Sequence, residues 1–353
     1  MAEGGALLRR YTDKIRIEGS NPSLSASDPR GGRLKRFMRS CSALSCLCAA
    51  LASTPVLAQF PERAVTLVVP SAPGDEADIS ARLIATKLIE RWGRAVFVEN
   101  KPGVGAEFVA KAKPDGHVLL MGGVVTQTIS PSLHKKLPYD ADRAFAPVSL
   151  VAEVPLVLLV HPSIKANTPR DLAAAAAKAK PQLKFASSGN GSLMHMAAVL
   201  FESVARIQLE HVPYKSEVQA ISELIDGRVT LAFPPLPEVL GHITSGKLKA
   251  LAVTSAQRSP ALPKLQTVAE SGLHGYEASR WIGVLAPAGT PAATIDKIAK
   301  DVQHAVKASD VRHKLDQEGA ITVGSSPAQF KARIDSDRQR YARLIQEKGI
   351  TPG

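Results

Sequence analysis

The chain is short of nearly everything that marks an enzyme or a disulfide scaffold. Its only three cysteines, Cys41, Cys46 and Cys48, crowd together near the N-terminus. From residue 59 onward there is no thiol to serve as nucleophile, disulfide partner or metal ligand. Aromatic residues make up 5% and Lys and Arg are scattered along helical faces, so neither a base-stacking platform nor a basic stripe for nucleic acid is present. No Gly-x-Ser-x-Gly elbow, His-Glu-x-x-His pair, Walker loop or Gly-x-Gly-x-x-Gly helix opening occurs. The nine histidines are dispersed, none three or four positions from another, so no metal site is expected. No apolar run reaches the roughly 20 residues that cross a bilayer. The sequence therefore predicts no catalytic residue, no cofactor and no metal.

What is present begins with an export signal. Residues 30–39, "RGGRLKRFMR", form a basic cluster, and residues 41–57 are largely apolar and close with Val56-Leu57-Ala58 before Gln59. A positive n-region, a short apolar h-region and small residues at the end describe a secretory signal peptide. Residues 1–58 are accordingly set aside as N-terminal extension and signal peptide, with cleavage expected after Ala58 and a periplasmic destination. Nine Lys or Arg against four Asp or Glu in that segment carry five of the formal +12, leaving +7 on the rest of the chain. A basic balance of this size suits solubility and the steering of anions.

After Pro61, short β-branched runs alternate with amphipathic stretches: strands at 65–70, 95–100 and 117–122, and helices at 77–93 and 106–116. That alternation predicts βαβ units around a parallel sheet covered on both faces. A long extended stretch, 145–162, follows. The alternation then restarts with helices at 169–180, 193–205, 217–227 and 236–245 and strands at 183–188, 209–214, 229–234 and 248–255. A second extended stretch at 276–287 precedes helices at 291–307, 309–318 and 327–348, with start signals at "TPAAT" and "SPAQF". Two α/β series joined by extended crossings predict two lobes, 59–155 with 277–353, and 156–276.

Two strand-to-helix turns stand out: "PSAPGDEAD" (70–78) in the first series and "SSGNGSLMH" (187–195) in the second. Gly- and Ser-rich turns of this kind leave backbone N–H groups free at a helix N-terminus, where the macrodipole favours an anion. They also lie beyond the carboxyl ends of strands, where open α/β sheets hold ligands.

Over Phe60 to Gly349 the sequence resembles the Bug-type receptors of tripartite tricarboxylate transport systems. The blocks that carry the resemblance include "FPERAVTLVVP", "VFVENKPGVG", "KKLPYD", "FAPVSL", "SSGNGS", "HVPYK", "LKALAVTSAQRSPALP" and "LAPAGTP". The resemblance implies a two-lobed periplasmic binding protein type II (Venus flytrap) α/β fold that clamps a small carboxylate. It implies membrane permease subunits of a tripartite tricarboxylate-type transporter as partners. No nucleic acid and a monomeric chain are expected. Expected ligand contacts are Ser71, Ala72, Pro73, Gly74, Asp75 and Asp78 in the first loop, Thr126 after the third strand, Ser187, Ser188, Gly189, Gly191, Ser192 and His195 in the second loop, and Tyr214.

The sequence departs from the family pattern at informative places. Gly74-Asp75 stands where two glycines are usual, so Asp75 either turns to solvent as a helix cap or faces the ligand and asks for a donor or positive group there. Phe233-Pro234-Pro235 replaces the usual Phe-Asp-Asn, and Gly123-Val124-Val125-Thr126-Gln127 replaces a Thr-Ser-Gly-Thr-His loop. A periplasmic sensor that reports to a signalling membrane protein is the alternative these residues leave open.

Overall fold

The computed structural model describes residues 60–134 and 136–352; the leader and the cleavage position after Ala58 lie outside them. The first series builds β1 (Val65–Val69), α1 (Glu76–Trp92), β2 (Val96–Asn100), α2 (Gly105–Ala110) and β3 (Val118–Gly123). Helix α1 forms where Ala81, Ile84, Ala85 and Leu88 recur at helical spacing, and these are its buried apolar residues. It ends at Gly93, which is left-handed at φ 60°. Strand β1 lies between β2 and β3 in parallel register, as the alternation predicts. After β3 come a π-helical turn (Val125–Ile129) and α3 (Ser130–Leu133). Then β4 (Phe145–Pro155) leads through Leu156 directly into β5 (Val157–Val160) of a second sheet.

The second series comprises α4 (Pro169–Lys178), β6 (Lys184–Ser187), α5 (Leu193–Ala205), β7 (Glu210–Pro213), α6 (Glu217–Ile225), β8 (Leu231–Ala232), α7 (Leu236–Thr244) and β9 (Lys249–Val253). The chain then returns as β10 (Ser279–Pro287) to the first sheet and closes with α8 (Ala292–Lys307), α9 (Ser309–Gln317), β11 (Ile321–Thr322) and α10 (Pro327–Lys348). The first sheet has the order β11-β4-β10-β3-β1-β2 and the second β7-β6-β8-β5-β9.

Neither sheet is the purely parallel one expected. Strand β10 runs antiparallel to both β3 and β4, and β5 antiparallel to β8 and β9. A parallel neighbour needs a crossover helix, whereas the strands that pass between sheets arrive without one and pair head to tail. Two local expectations also change. Residues 123–127, set against a family loop, run into helical turns over 125–133 that were not expected, and Arg338 of α10 reaches across to the Gln127 carbonyl at 3.0 Å. The start signal at Thr290 is not a cap: its hydroxyl donates to the Pro287 carbonyl at 2.7 Å, and α8 begins after Pro291 without a side-chain cap. Ser326 and Gln329 do form the capping box that "SPAQF" announces.

Helix α10 joins the halves. Its Phe330, Ile334, Tyr341, Leu344 and Ile345 share one buried cluster with Val68, Leu120 and Leu285 of the first sheet and Leu158, Phe185 and Leu231 of the second. Close approach to the first sheet needs Gly283, where a Cβ would clash with the Phe330 ring. Arg333 of the same helix pins both crossings. It donates to Glu153 at 2.7 Å, Ser279 at 2.9 Å and Asp337 at 2.8 Å, and pairs with Glu277 at 2.8 Å. Trp281 donates to the same Asp337 carboxylate at 2.8 Å.

Candidate functional site

Both loops singled out in the sequence are the turns that follow a central strand, β1 in one sheet and β6 in the other, and each opens a helix. In the first, Asp75 is the N-cap of α1 and its Oδ1 accepts the Asp78 backbone N–H at 2.9 Å. Asp75 is exposed, so its carboxylate is committed to the helix end. Asp78 is likewise engaged within the protein. Its carboxylate is buried beneath the loop and accepts from the Gly74 backbone N–H at 2.9 Å, Asn100 Nδ2 at 3.0 Å and Arg82 Nε at 2.9 Å. Hydrogen bonding from Arg82 outweighs burial and holds the Asp78 carboxyl below its usual range. Asn100 also donates to the Ser71 carbonyl at 3.2 Å. Asp78, Arg82 and Asn100 thus shape the loop from below, and Ala72, Pro73 and Gly74 are left on its exposed crest. The hydroxyl oxygen of Ser71 is buried without a protein partner.

In the second loop, Ser187 is fully buried. Its hydroxyl lies 2.6 Å from His211 Nε2 and accepts the Gly189 N–H at 3.2 Å. The Gly191 N–H donates to His195 Nδ1 at 3.0 Å. Two backbone donors expected to meet a ligand are therefore taken within the loop. Ser192 caps α5, accepting the His195 N–H at 3.2 Å and keeping its own hydroxyl hydrogen for another acceptor. Ser188 is half-buried, and its hydroxyl engages no other described residue. Gly189 and Gly191 hold φ of 111° and 71°, conformations that side chains resist. At Gly191 a Cβ would clash with Leu133 Cδ2, so this loop abuts α3 of the first half.

His195 stacks on His211 with ring centroids 3.9 Å apart, and Phe185 covers His211 at 4.7 Å. Burial pushes His195 down to about 3, with the neighbouring His211 adding to the shift, and burial alone takes His211 to about 4. Both imidazoles are neutral near pH 7. Together with Gln182, Glu202, Gln208 and Lys348 they line a cavity of about 390 Å³ behind the loop.

Two further expected contacts have their hydroxyls engaged within the protein. Thr126 Oγ1 donates to the Gly123 carbonyl at 3.0 Å, closing the end of β3. The Tyr214 hydroxyl donates to Glu223 at 3.2 Å. Next to Thr126, Gln127 was not anticipated from the sequence. It is 1% exposed, and its Nε2 has no protein partner. A buried amide without a partner marks a place where water or a ligand group belongs, and this one follows the same strand end as Thr126.

Arg280 was missed as well. On β10, it donates to Glu76 of α1 at 3.2 Å and to Glu217 of α6 at 2.8 Å, and lies 3.8 Å from Glu238 of α7. Its isolated position in the sequence carries no signal.

The family model described as the tripartite tricarboxylate transporter family receptor matches residues 80–350. The chain belongs to that family. Protein BugT of Bordetella pertussis is 33% identical over 304 residues, covering 84% of this chain and 93% of that protein. A Pseudomonas sp. (strain P51) protein from the tcbD-tcbE intergenic region is 37% identical over 296 residues, covering 82% and 87%. Among solved structures, an R. palustris protein with adipate superposes with a TM-score of 0.69 at 32% identity, covering 83% of this chain and all of the other. MatC from Rhodopseudomonas palustris with bound malate gives 0.65 at 30% identity, covering 81% and 100%. The periplasmic binding protein BugD gives 0.66 at 32%, covering 83% and 99%. This receptor therefore has the two-lobed α/β fold of periplasmic solute-binding proteins, and relatives of comparable similarity were solved with dicarboxylates.

Proposed function

We propose that this chain is an exported periplasmic receptor, cleaved after Ala58, that captures a small carboxylate between two lobes as a monomer and delivers it unchanged to a tripartite tricarboxylate-type permease. Lobe one comprises residues 59–155 and 277–353, and lobe two residues 156–276. The observation that carries this reading is the pair of strand-to-helix loops at corresponding positions of the two sheets, in a receptor family whose relatives were solved with adipate and malate.

The ligand's carboxylates would meet uncharged donors. In the second lobe these are the Ser188 and Ser192 hydroxyls at the start of α5, where the helix dipole favours an anion. In the first, the unpartnered Ser71 Oγ and Gln127 Nε2 are the matching groups, directly or through ordered water. Gly189 and Gly191 act by letting backbone approach closely, and Asp78 by shaping the loop.

Mass spectrometry of small molecules released on denaturing freshly purified protein, followed by calorimetry with malate, adipate and the released species, tests this reading. A dicarboxylate is expected, bound more weakly by Ser188→Ala. Retention of a ligand without a carboxylate, or conversion of the bound acid to a product, would overturn it.

A further inference from the structure

Three helices from the two halves of the molecule point their first turns at one guanidinium. Glu76 is the first residue of α1, Glu217 the first of α6, and Glu238 lies in the first turn of α7. Arg280, near the start of the returning strand β10, donates to Glu76 at 3.2 Å and Glu217 at 2.8 Å with Glu238 at 3.8 Å. Strand β10 and α1 belong to the first sheet's half, α6 and α7 to the second's. The chain passes between the two halves at Leu156 and at residues 254–278. Separation of the halves would lengthen the Arg280–Glu217 bond, which spans them, while the Arg280–Glu76 pair lies within one half.

We propose that Arg280 is a clasp that ties the two lobes through Glu76 on one side and Glu217 and Glu238 on the other, and that it sets how readily the receptor closes. The inference rests on the two-lobed receptor reading and adds to it a set of residues that position the lobes without touching the ligand.

The charge arithmetic makes the clasp depend on pH. Three carboxylates face one guanidinium, with Asp75 adding its field at the α1 end. Burial raises the Glu238 carboxyl to about 8, and its hydrogen bond and repulsion with Glu217 act in the same sense. Burial also raises Glu76, against the pull of Arg280. Glu217, for which burial is outweighed by the Glu238 hydrogen bond and Arg280, is lowered. Near neutrality the shared proton therefore sits on Glu238, facing an ionised Glu217 held by Arg280. As pH rises through about 8, Glu238 ionises; burial is the largest cause of its raised value, so ionisation favours the separated lobes, in which that carboxylate regains water.

The experiment reads lobe separation without ligand. Residues 59–353 contain no cysteine, so one cysteine introduced on the exposed face of each lobe allows paired-dye energy transfer in the mature protein. Arg280→Met is expected to shift the ligand-free population toward low transfer and to weaken malate binding several-fold, with Arg280→Lys restoring part of both. Glu217→Gln, which leaves Arg280 paired with Glu76, is expected to act in the same direction should Arg280→Met misfold. Wild type should open as pH rises from 7 to 9, and Glu238→Gln should abolish that transition. Unchanged transfer in folded Arg280→Met and Glu217→Gln, or an alkaline transition that persists in Glu238→Gln, overturns the clasp. Failure of every variant and of wild type to respond to any carboxylate would instead reject the ligand reading, while the ligand-free shift still reports the clasp.

Discussion

His195 Nδ1 accepts the backbone N–H of Gly191 at 3.0 Å, so the shape of the second loop depends on an imidazole that carries no proton at that nitrogen. The ring is also pressed against His211 at 3.9 Å. Folded values of about 3 for His195 and about 4 for His211 lie below the unfolded imidazole's 6.5. Both groups thus contribute stability that is present above pH 6.5 and is lost as pH falls toward their folded values. By pH 5 the loss should be on the order of 1–2 kcal/mol per imidazole. Urea denaturation at pH 7 and pH 5 measures it. Because buried carboxylates such as Glu153 are raised and act in the opposite direction, the informative quantity is the smaller pH slope expected in His211→Phe.

Gly191→Val should cost the receptor both its loop and its ligand. The left-handed φ of 71° alone penalises a side chain by about 1–2 kcal/mol, and contact with Leu133 adds to that. Leu133→Ala should relieve only the contact. Stability of the two single variants and the double variant separates the terms, and equal losses in Gly191→Val with and without Leu133→Ala would show that Leu133 does not define the loop's position.

Asp75 and Asp78 should respond in opposite ways to removal. Asp75→Gly removes an exposed N-cap for which glycine substitutes at a cost of only a few tenths of a kcal/mol, and carboxylate affinities should move by less than about 0.5 kcal/mol. Asp78→Ala strands the Gly74 N–H and the Asn100 amide, at roughly 1–3 kcal/mol, and should weaken binding as the loop relaxes. Parallel thermal melts and calorimetry on the two variants check this. A tenfold gain in dicarboxylate affinity for Asp75→Gly would place that side chain in the ligand's field after all.

Arg333 is the residue on which the hinge should depend most. Its removal leaves Glu153 and Glu277 without their cation, while Asp337 keeps Arg340 at 3.4 Å. Arg333→Met should destabilise the protein by roughly 3–5 kcal/mol, more than Arg338→Met, whose partners are two carbonyls and the exposed Asp142. Chemical denaturation midpoints compare the two, and equal midpoints would show that the carboxylates find other partners.

The helices and strands could be read along the chain because each buries one stripe or one face, and that periodicity is local. Helix α10 was expected over its observed span, 327–348, since Ser326, Pro327 and Gln329 announce its start and Gly349 its end. The two loops were visible for the same reason: Gly, Ser and Asp between a strand and a helix are a local pattern. Which loop atoms remain free was not visible. Gly191 spends its amide on His195, four residues on, and Ser187 its hydroxyl on His211, 24 residues away. The helical segment at 125–133 likewise answers to Arg338, 211 residues from Gln127.

By itself, the sequence determined most of the order of elements, the two α/β series and the two Gly- and Ser-rich strand-to-helix turns, because hydrophobic period, caps and turn residues act over a few positions. Only the tertiary structure decided the antiparallel return of β10, the hydrogen-bond partners of Asp78, Thr126 and Tyr214, and the meeting of Arg280 with Glu76, Glu217 and Glu238. Hydrogen bonds and ion pairs form between whichever groups packing brings within about 3 Å. Partners up to 211 positions apart leave no mark on the residues that lie between them.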